Sequence, residues 1–224
     1  MSEIRDLFHR NHIWAERTER DDPGFFQRLS EQQAPEYLWI GCSDSRVPST
    51  QIVDLDPGTI FVHRNVSNVV VHTDFNALST IQFAVDALKV RHIMVVGHYG
   101  CGGVGAVLDG QRMGLIDNWL RHVRDVADIH HAVLGEGLPK KLRHDRLCEL
   151  NVIEQAMHVC ATNIVRDAWA RGQSLRVHGW IYGLQDGHIH DLGLDIDSLA
   201  AVQSRYREAL QTLAERWAEQ EAGS

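Results

Sequence analysis

The sequence predicts an α/β fold, with a central, mainly parallel β-sheet, an antiparallel edge strand, flanking helices and an N-terminal helical arm. Two observations carry that expectation. Four short apolar runs, at residues 37–41, 59–63, 92–97 and 175–182, recur with helix-patterned segments between them. Runs as continuous as Ile93-Met94-Val95-Val96 suit strands buried on both faces, which is the condition inside a parallel sheet covered by helices.

The elements follow in chain order. Residues 3–20 carry a partial apolar stripe (Ile4, Leu7, Phe8, Trp14) and predict a helix, which Asp21-Asp22-Pro23-Gly24 breaks. A short helix through Phe25, Phe26 and Leu29 completes an arm over 1–34, expected to pack on its own domain or on a second subunit. The core, 35–196, holds the sheet. Between its second and third strands a helix shows Leu78, Ile81, Val85 and Leu88 on one face. One long helix is expected over 145–171, with Leu150, Ile153, Met157 and Ile164 inward and Arg171-Gly172 as its stop. Residues 188–194 return as the antiparallel edge strand, and 197–224 add a C-terminal helix to what is one domain overall.

Composition narrows the function classes. The 224 residues hold 22 Lys and Arg against 30 Asp and Glu, a net charge of −8, which disfavours nucleic-acid binding because phosphate needs a basic face. No run approaches the ~18 apolar residues of a membrane span, and the first residues lack a secretory pattern, so a cytoplasmic address is expected. In that reducing compartment the 4 cysteines read as buried thiols, metal ligands or redox groups. Cys148 and Cys160 lie on a helical pattern without neighbouring donors and read as core.

Chemistry concentrates where two strands end. Residues 37–41 run into Cys42-Ser43-Asp44-Ser45-Arg46, and 92–97 run into His98-Tyr99-Gly100-Cys101-Gly102-Gly103. In parallel sheets, ligand sites lie beyond the carboxyl ends of strands. Two thiolates and an imidazole suit zinc and leave a fourth tetrahedral position for water or a carboxylate. Taken singly, Cys42 and Cys101 also fit as small core residues and His98 as a hydrogen-bonded one; the glycine-rich loop at 97–103 argues against a packed stripe. In an extended segment Cys42, Asp44 and Arg46 face one side. Asp44 then reaches either the metal, closing the site, or Arg46, leaving it open to water. Two thiolates weaken zinc as a Lewis acid, so activity should favour alkaline pH. A structural zinc protein would keep the fourth position closed. A thiol redox protein would want Cys-x-x-Cys where this chain has His-x-x-Cys.

Cys42-Ser43-Asp44-Ser45-Arg46-Val47-Pro48 together with His98-Tyr99-Gly100-Cys101-Gly102-Gly103 resembles the β-class carbonic anhydrases, in particular their bacterial, bicarbonate-regulated subset. The resemblance runs over about 8–194 and includes Phe61-Val62-His63-Arg64-Asn65-Val66, Cys148-Glu149-Leu150-Asn151-Val152 and Val177-His178-Gly179-Trp180. It implies one zinc ion per subunit on Cys42, His98 and Cys101, and an Asp44/Arg46 dyad that frees the metal for hydroxide in reversible CO2 hydration to bicarbonate. It implies that Gln33 contacts substrate across a subunit interface, helped by the Gly102 N–H. Phe61, Val66 and Phe83 match an apolar wall around CO2, although bacterial relatives often have Tyr at the position of Phe83. Trp39, Arg64 and Tyr182 match a bicarbonate trio that favours a closed state with Asp44 on zinc at low pH. The resemblance also implies a homodimer or homotetramer. Relatives of this fold that hydrolyse carbon disulfide or carbonyl sulfide would use the same site.

Overall fold

Leu38, Trp39 and Ile40 follow one another along a strand, yet all three are inaccessible to solvent, because both faces of that strand are covered. The computed structural model describes residues 3–31, 33–135 and 137–222. Five strands, β1 (Tyr37–Cys42), β2 (Ile60–Asn65), β3 (His92–His98), β4 (Arg176–Tyr182) and β5 (Ile189–Ile196), form one sheet in the order β2-β1-β3-β4-β5. The first four run parallel and β5 returns antiparallel at the edge. The chain leaves β1 outward to β2, then crosses back to β3 on the other side. That reversal places a crevice at the carboxyl ends of β1 and β3, where Cys42 and His98 stand.

The helices depart from the expected pattern in three places. The helix after β2 is α-helical only over α3 (Phe75–Gln82) and widens into a π-type turn across 83–87. Ile81 and Val85 are still buried, while Phe83 is turned outward and is 48% exposed. Two helices absent from the periodicity reading, α4 (Gly102–Leu108) and α5 (Ile116–Ile129), follow β3. The single helix expected over 145–171 is two, α6 (Lys140–Ala161) and α7 (Asn163–Ala170). Thr162 separates them with extended dihedrals (φ −64°, ψ 144°), and its hydroxyl accepts from the Val165 N–H at 3.3 Å. A threonine in that conformation caps a new helix instead of continuing the old one. Gly172 then ends α7 at φ +75°, as a C-cap glycine should.

On one face of the sheet α6 lays Leu147, Leu150, Ile153 and Ala156 into a core with Ile93, Val95, Val177 and Ile181. Each of the Leu, Ile and Val side chains among them contributes ~1.5–3 kcal/mol on burial. Cys148 and Cys160 are buried in the same core. The closing helix α8 (Val202–Ala222) packs against β5. On the opposite face, Trp39, Met94 and Val96 form a smaller cluster with Val47 and Ile60.

The chain divides into two units, residues 1–34 and 35–224. Within the first, α1 (Glu3–Asp21) and α2 (Phe25–Glu31) meet through an edge-to-face contact of Trp14 on Phe26, with ring centroids 5.5 Å apart. Gly24 makes the turn between them at φ +80°. Ile4, Leu7 and Phe8 are exposed. Among the described residues no helix is long and apolar enough to cross a membrane.

Candidate metal centre

Three residues converge in the crevice. Cys42 closes β1 and His98 closes β3. Cys101 follows a left-handed turn at Gly100 (φ +71°) and leads into α4. All three are buried, and one donor atom from each lies within 4.8 Å of the others. The two sulfurs are 4.0 Å apart.

The imidazole is oriented by its own backbone. The Nδ1–H of His98 donates to the Tyr99 carbonyl at 3.0 Å, because a carbonyl can only accept. That bond fixes the tautomer and leaves a lone pair on Nε2, which is buried and has no hydrogen-bond partner among the described residues. An orphaned buried acceptor costs ~1–3 kcal/mol. A metal ion shared with two thiols would satisfy it, and a two-sulfur, one-nitrogen donor set is one that zinc takes. The residues present therefore fit the ion.

Electrostatics agree. The contact with Cys42 holds the Cys101 thiol far below its ordinary range, helped by His98, and the same contact pushes Cys42 upward. The pair thus carries one negative charge readily. Burial opposes protonation of His98, but the neighbouring Cys101 thiolate more than offsets it and raises the imidazole. A centre that gathers this much negative charge in a buried place is prepared for a cation.

Asp44 stands beside the triad without joining it. Its Oδ2 is 3.6 Å from His98 Nε2. Arg46 holds it by three donors: Nε to Oδ1 at 2.9 Å, Nη2 to Oδ2 at 2.7 Å, and its backbone N–H to Oδ1 at 3.0 Å. The Arg46 hydrogen bonds hold the carboxyl far below the usual carboxylate range, against a smaller opposing effect of burial. Arg64 braces the same segment, giving its Nε to the Cys42 carbonyl at 2.8 Å and its Nη2 to the Asp44 carbonyl.

The structure brings Cys42, Asp44, Arg46, His98 and Cys101 together and does not gather the remaining candidates with them. Gly102 opens α4, and a side chain there would meet open space. Val66 is half-buried, and its carbonyl accepts from Trp119 Nε1 at 2.8 Å. Phe61 and Phe83 pair with centroids 5.7 Å apart. Trp39 is buried in the cluster on the other sheet face, and Tyr182 packs on that cluster. Gln33 belongs to the 1–34 unit and is exposed. A cavity of about 820 Å³ opens next to the centre, lined by Arg46, Tyr99, Glu149, Arg216 and Trp217, but none of the three candidate ligands lines it.

Sequence reasoning missed Ser67. Its N–H donates to Cys42 Sγ at 3.4 Å, and its hydroxyl lies 3.6 Å from Cys101 Sγ. It reaches both sulfurs from a left-handed conformation (φ 65°), and Asn68 follows at φ 47°. Such geometry is uncommon for residues other than glycine. Here neighbours hold it: Asn65 accepts from the Val69 N–H at 2.8 Å, and Asn151 Nδ2 donates to the Ser67 carbonyl at 2.9 Å. The available signal was Asn65-Val66-Ser67-Asn68, three polar residues in four where a strand ends.

Comparison with known proteins places this arrangement. The carbonic anhydrase family profile matches residues 37–189. A carbonic anhydrase of Emericella nidulans is 44% identical across 89% of this chain and 88% of its own length. One from Pseudomonas aeruginosa is 32% identical across 75% and 77%. Among solved structures, the Coccomyxa β-carbonic anhydrase in complex with acetazolamide superposes with a TM-score of 0.87 at 39% identity, covering 91% of this chain and 92% of that one. One of two tetrameric β-carbonic anhydrases of Sordaria macrospora gives 0.82 at 38% identity over 86% and 98%. Fungal and bacterial relatives both appear, so the similarity does not single out a bacterial subset. With its profile match, its relatives and its fold in agreement, the chain belongs to the β-carbonic anhydrases.

Proposed function

We propose that this chain catalyses the reversible hydration of CO2 to bicarbonate and a proton, with one zinc ion per subunit held by Cys42, His98 and Cys101. One observation carries the reading: three buried donor atoms lie within 4.8 Å of one another, and one of them, His98 Nε2, has no hydrogen-bond partner among the described residues. Bound there, zinc would supply the Lewis acidity that makes water a competent nucleophile near neutral pH.

The protein's own groups do the rest. Asp44 presents a carboxylate oxygen beside His98, where it can accept a hydrogen bond from the attacking hydroxyl and orient it. Arg46 keeps that carboxylate ionised and engages both of its oxygens, which supports an arrangement with the fourth position open. Phe61, Val66 and Phe83 would supply a nonpolar wall for CO2, and the Gly102 N–H, with Gln33 of a second copy, would bind the oxygens. The exposed Ile4, Leu7 and Phe8 support assembly into a dimer or tetramer through the N-terminal arm.

Regulation belongs to the same proposal. Bicarbonate at Trp39, Arg64 and Tyr182 would favour, at low pH, a closed state in which Asp44 leaves Arg46 for the metal, by shifting a pre-existing equilibrium. Arg64 supports the link, since its guanidinium already holds the backbone carbonyl of Asp44. A cytoplasmic location completes the reading, and cell fractionation checks it.

Stopped-flow hydration of CO2 by zinc-loaded protein tests the function, with carbonyl sulfide and carbon disulfide as alternative substrates. Rapid hydration of CO2 supports it. Turnover of the sulfur substrates without CO2 hydration, or zinc binding without either, would overturn it.

A further inference from the structure

We infer that Glu149 is a positioning residue for the metal-binding loop, and that α8 takes part in the same device through Arg216 and Trp217. The inference rests on the reading of Cys42, His98 and Cys101 as a metal centre.

Glu149 is buried on α6, at 3% exposure, yet it is a carboxylate. A buried carboxylate needs donors, and it has three. Its Oε1 accepts from the Tyr99 hydroxyl and from Arg216 Nη2 at 2.6 Å, while Oε2 accepts from Trp217 Nε1 at 2.6 Å. Tyr99 lies between two of the candidate ligands in sequence. Its carbonyl takes the Nδ1–H of His98 at 3.0 Å, and its own N–H donates to the Tyr182 carbonyl at 3.0 Å. The side chain and backbone of Tyr99 are therefore both fixed, and with them the ring orientation and tautomer of His98. Partners of this kind behind a ligating histidine set its basicity and direction.

The rest of α6 extends the same bracket. His144 Nε2 donates to the Cys101 carbonyl at 2.9 Å, and Asn151 holds the Ser67 carbonyl at 2.9 Å, while Ser67 reaches both sulfurs. The helix α8 fastens onto this bracket from outside. Beyond the two bonds to Glu149, Arg146 of α6 pairs with Glu221 and lies 4.8 Å over the Trp217 ring. The residues of α8 fall after 189, the last residue matched by the family profile, so the profile does not account for them.

The test uses the full-length chain loaded with Co2+ in place of zinc, because thiolate-to-cobalt charge-transfer and d–d bands report ligand geometry. Tyr99→Phe removes only the hydroxyl, and Arg216→Met and Arg216→Lys remove or keep the cation. The expected result is an altered cobalt spectrum and about tenfold faster metal loss to a chelator for Tyr99→Phe and Arg216→Met. Both should occur at temperatures far below their melting points, with recovery toward the parent in Arg216→Lys. If the parent gives the charge-transfer bands and the variants match its spectrum and release rate while only their melting temperatures fall, Glu149 is merely structural and the proposal is overturned. A parent that takes up no cobalt refutes the metal centre itself, and the proposal with it.

Discussion

Asp44→Asn is the sharpest perturbation of the candidate centre. The substitution keeps the shape of the side chain and removes its charge, so Arg46, which now gives three donors to a carboxylate, faces an amide that can accept at only one oxygen. A hydrogen bond to a charged group contributes ~1.5–3 kcal/mol. Asp44 is 16% exposed but Arg46 is 59% exposed, so solvent screening pulls the value toward the lower end. Expressed wholly in the transition state, that corresponds to a rate loss of roughly tenfold or somewhat more. Because Asp44 lies outside the donor triad, zinc content should not change. Stopped-flow CO2 hydration with a pH indicator, alongside zinc analysis of the same sample, reads both quantities. A variant that keeps the parental rate would refute the role given to Asp44. One that loses zinc in step with activity would show that the carboxylate is a permanent ligand.

Four other outcomes follow from the structure. Gly103→Ala would drive a Cβ into Ser67 Oγ and against Leu120, so thermal unfolding should show a loss of about 1–3 kcal/mol; Gly102→Ala, with open space at its Cβ, should change stability by less than about 0.5 kcal/mol. Ile153→Ala, in the fully buried core, should cost about 2–5 kcal/mol in denaturant unfolding at unchanged slope. Burial works against ionised Glu154, but the donors His130 and Tyr206 win and lower its carboxyl. A depressed folded value gives stability that is present above the usual carboxylate range and lost as pH falls through the folded value. Glu154→Gln should therefore flatten the acid limb of a stability–pH curve, and an unchanged limb would contradict that sign. Finally, hydration by the zinc-loaded protein should quicken toward alkaline pH, because two thiolates weaken the metal as a Lewis acid; a flat rate–pH profile would rule that out.

The sheet was legible because its signal is local. A short continuous apolar run such as Ile93-Met94-Val95-Val96, β-branched and stopped by Gly97, suits a strand covered on both sides, and a His or Cys placed directly after it emerges at the strand's end. The same locality explains most of the misses. Nothing in the run 145–171 breaks the helical period, and only the extended backbone of Thr162 and its capping hydroxyl divide it. The helix α4 is itself glycine-rich, so its period says little and packing on α6 settles it, whereas α5 does carry an apolar stripe (Ile116, Leu120, Val123, Ala127) that the sequence reading passed over. Ser67, in a mostly polar stretch, and Glu149, in a segment that carries the resemblance, stand out in the sequence, but their connection to the site does not. Their partners lie 25, 34, 50 and 68 positions away, so no spacing rule could have joined them to the site.

That contrast orders the centre by how firmly each member is held. Cys42 and His98 close strands in the middle of the sheet, and hydrogen bonds from Ser67 and to Tyr99 limit their freedom further. Cys101 is anchored on the far side through the His144 bond to its carbonyl. Asp44, in contrast, sits just past the end of β1 and is held by a partner only two residues away whose own side chain is largely in solvent. An ion pair whose arginine lies largely in solvent is screened, so it fixes its carboxylate less firmly than a buried hydrogen bond would. The three candidate ligands are therefore fixed by strands and by partners distant in sequence, whereas Asp44 depends on a single local ion pair that solvent screens.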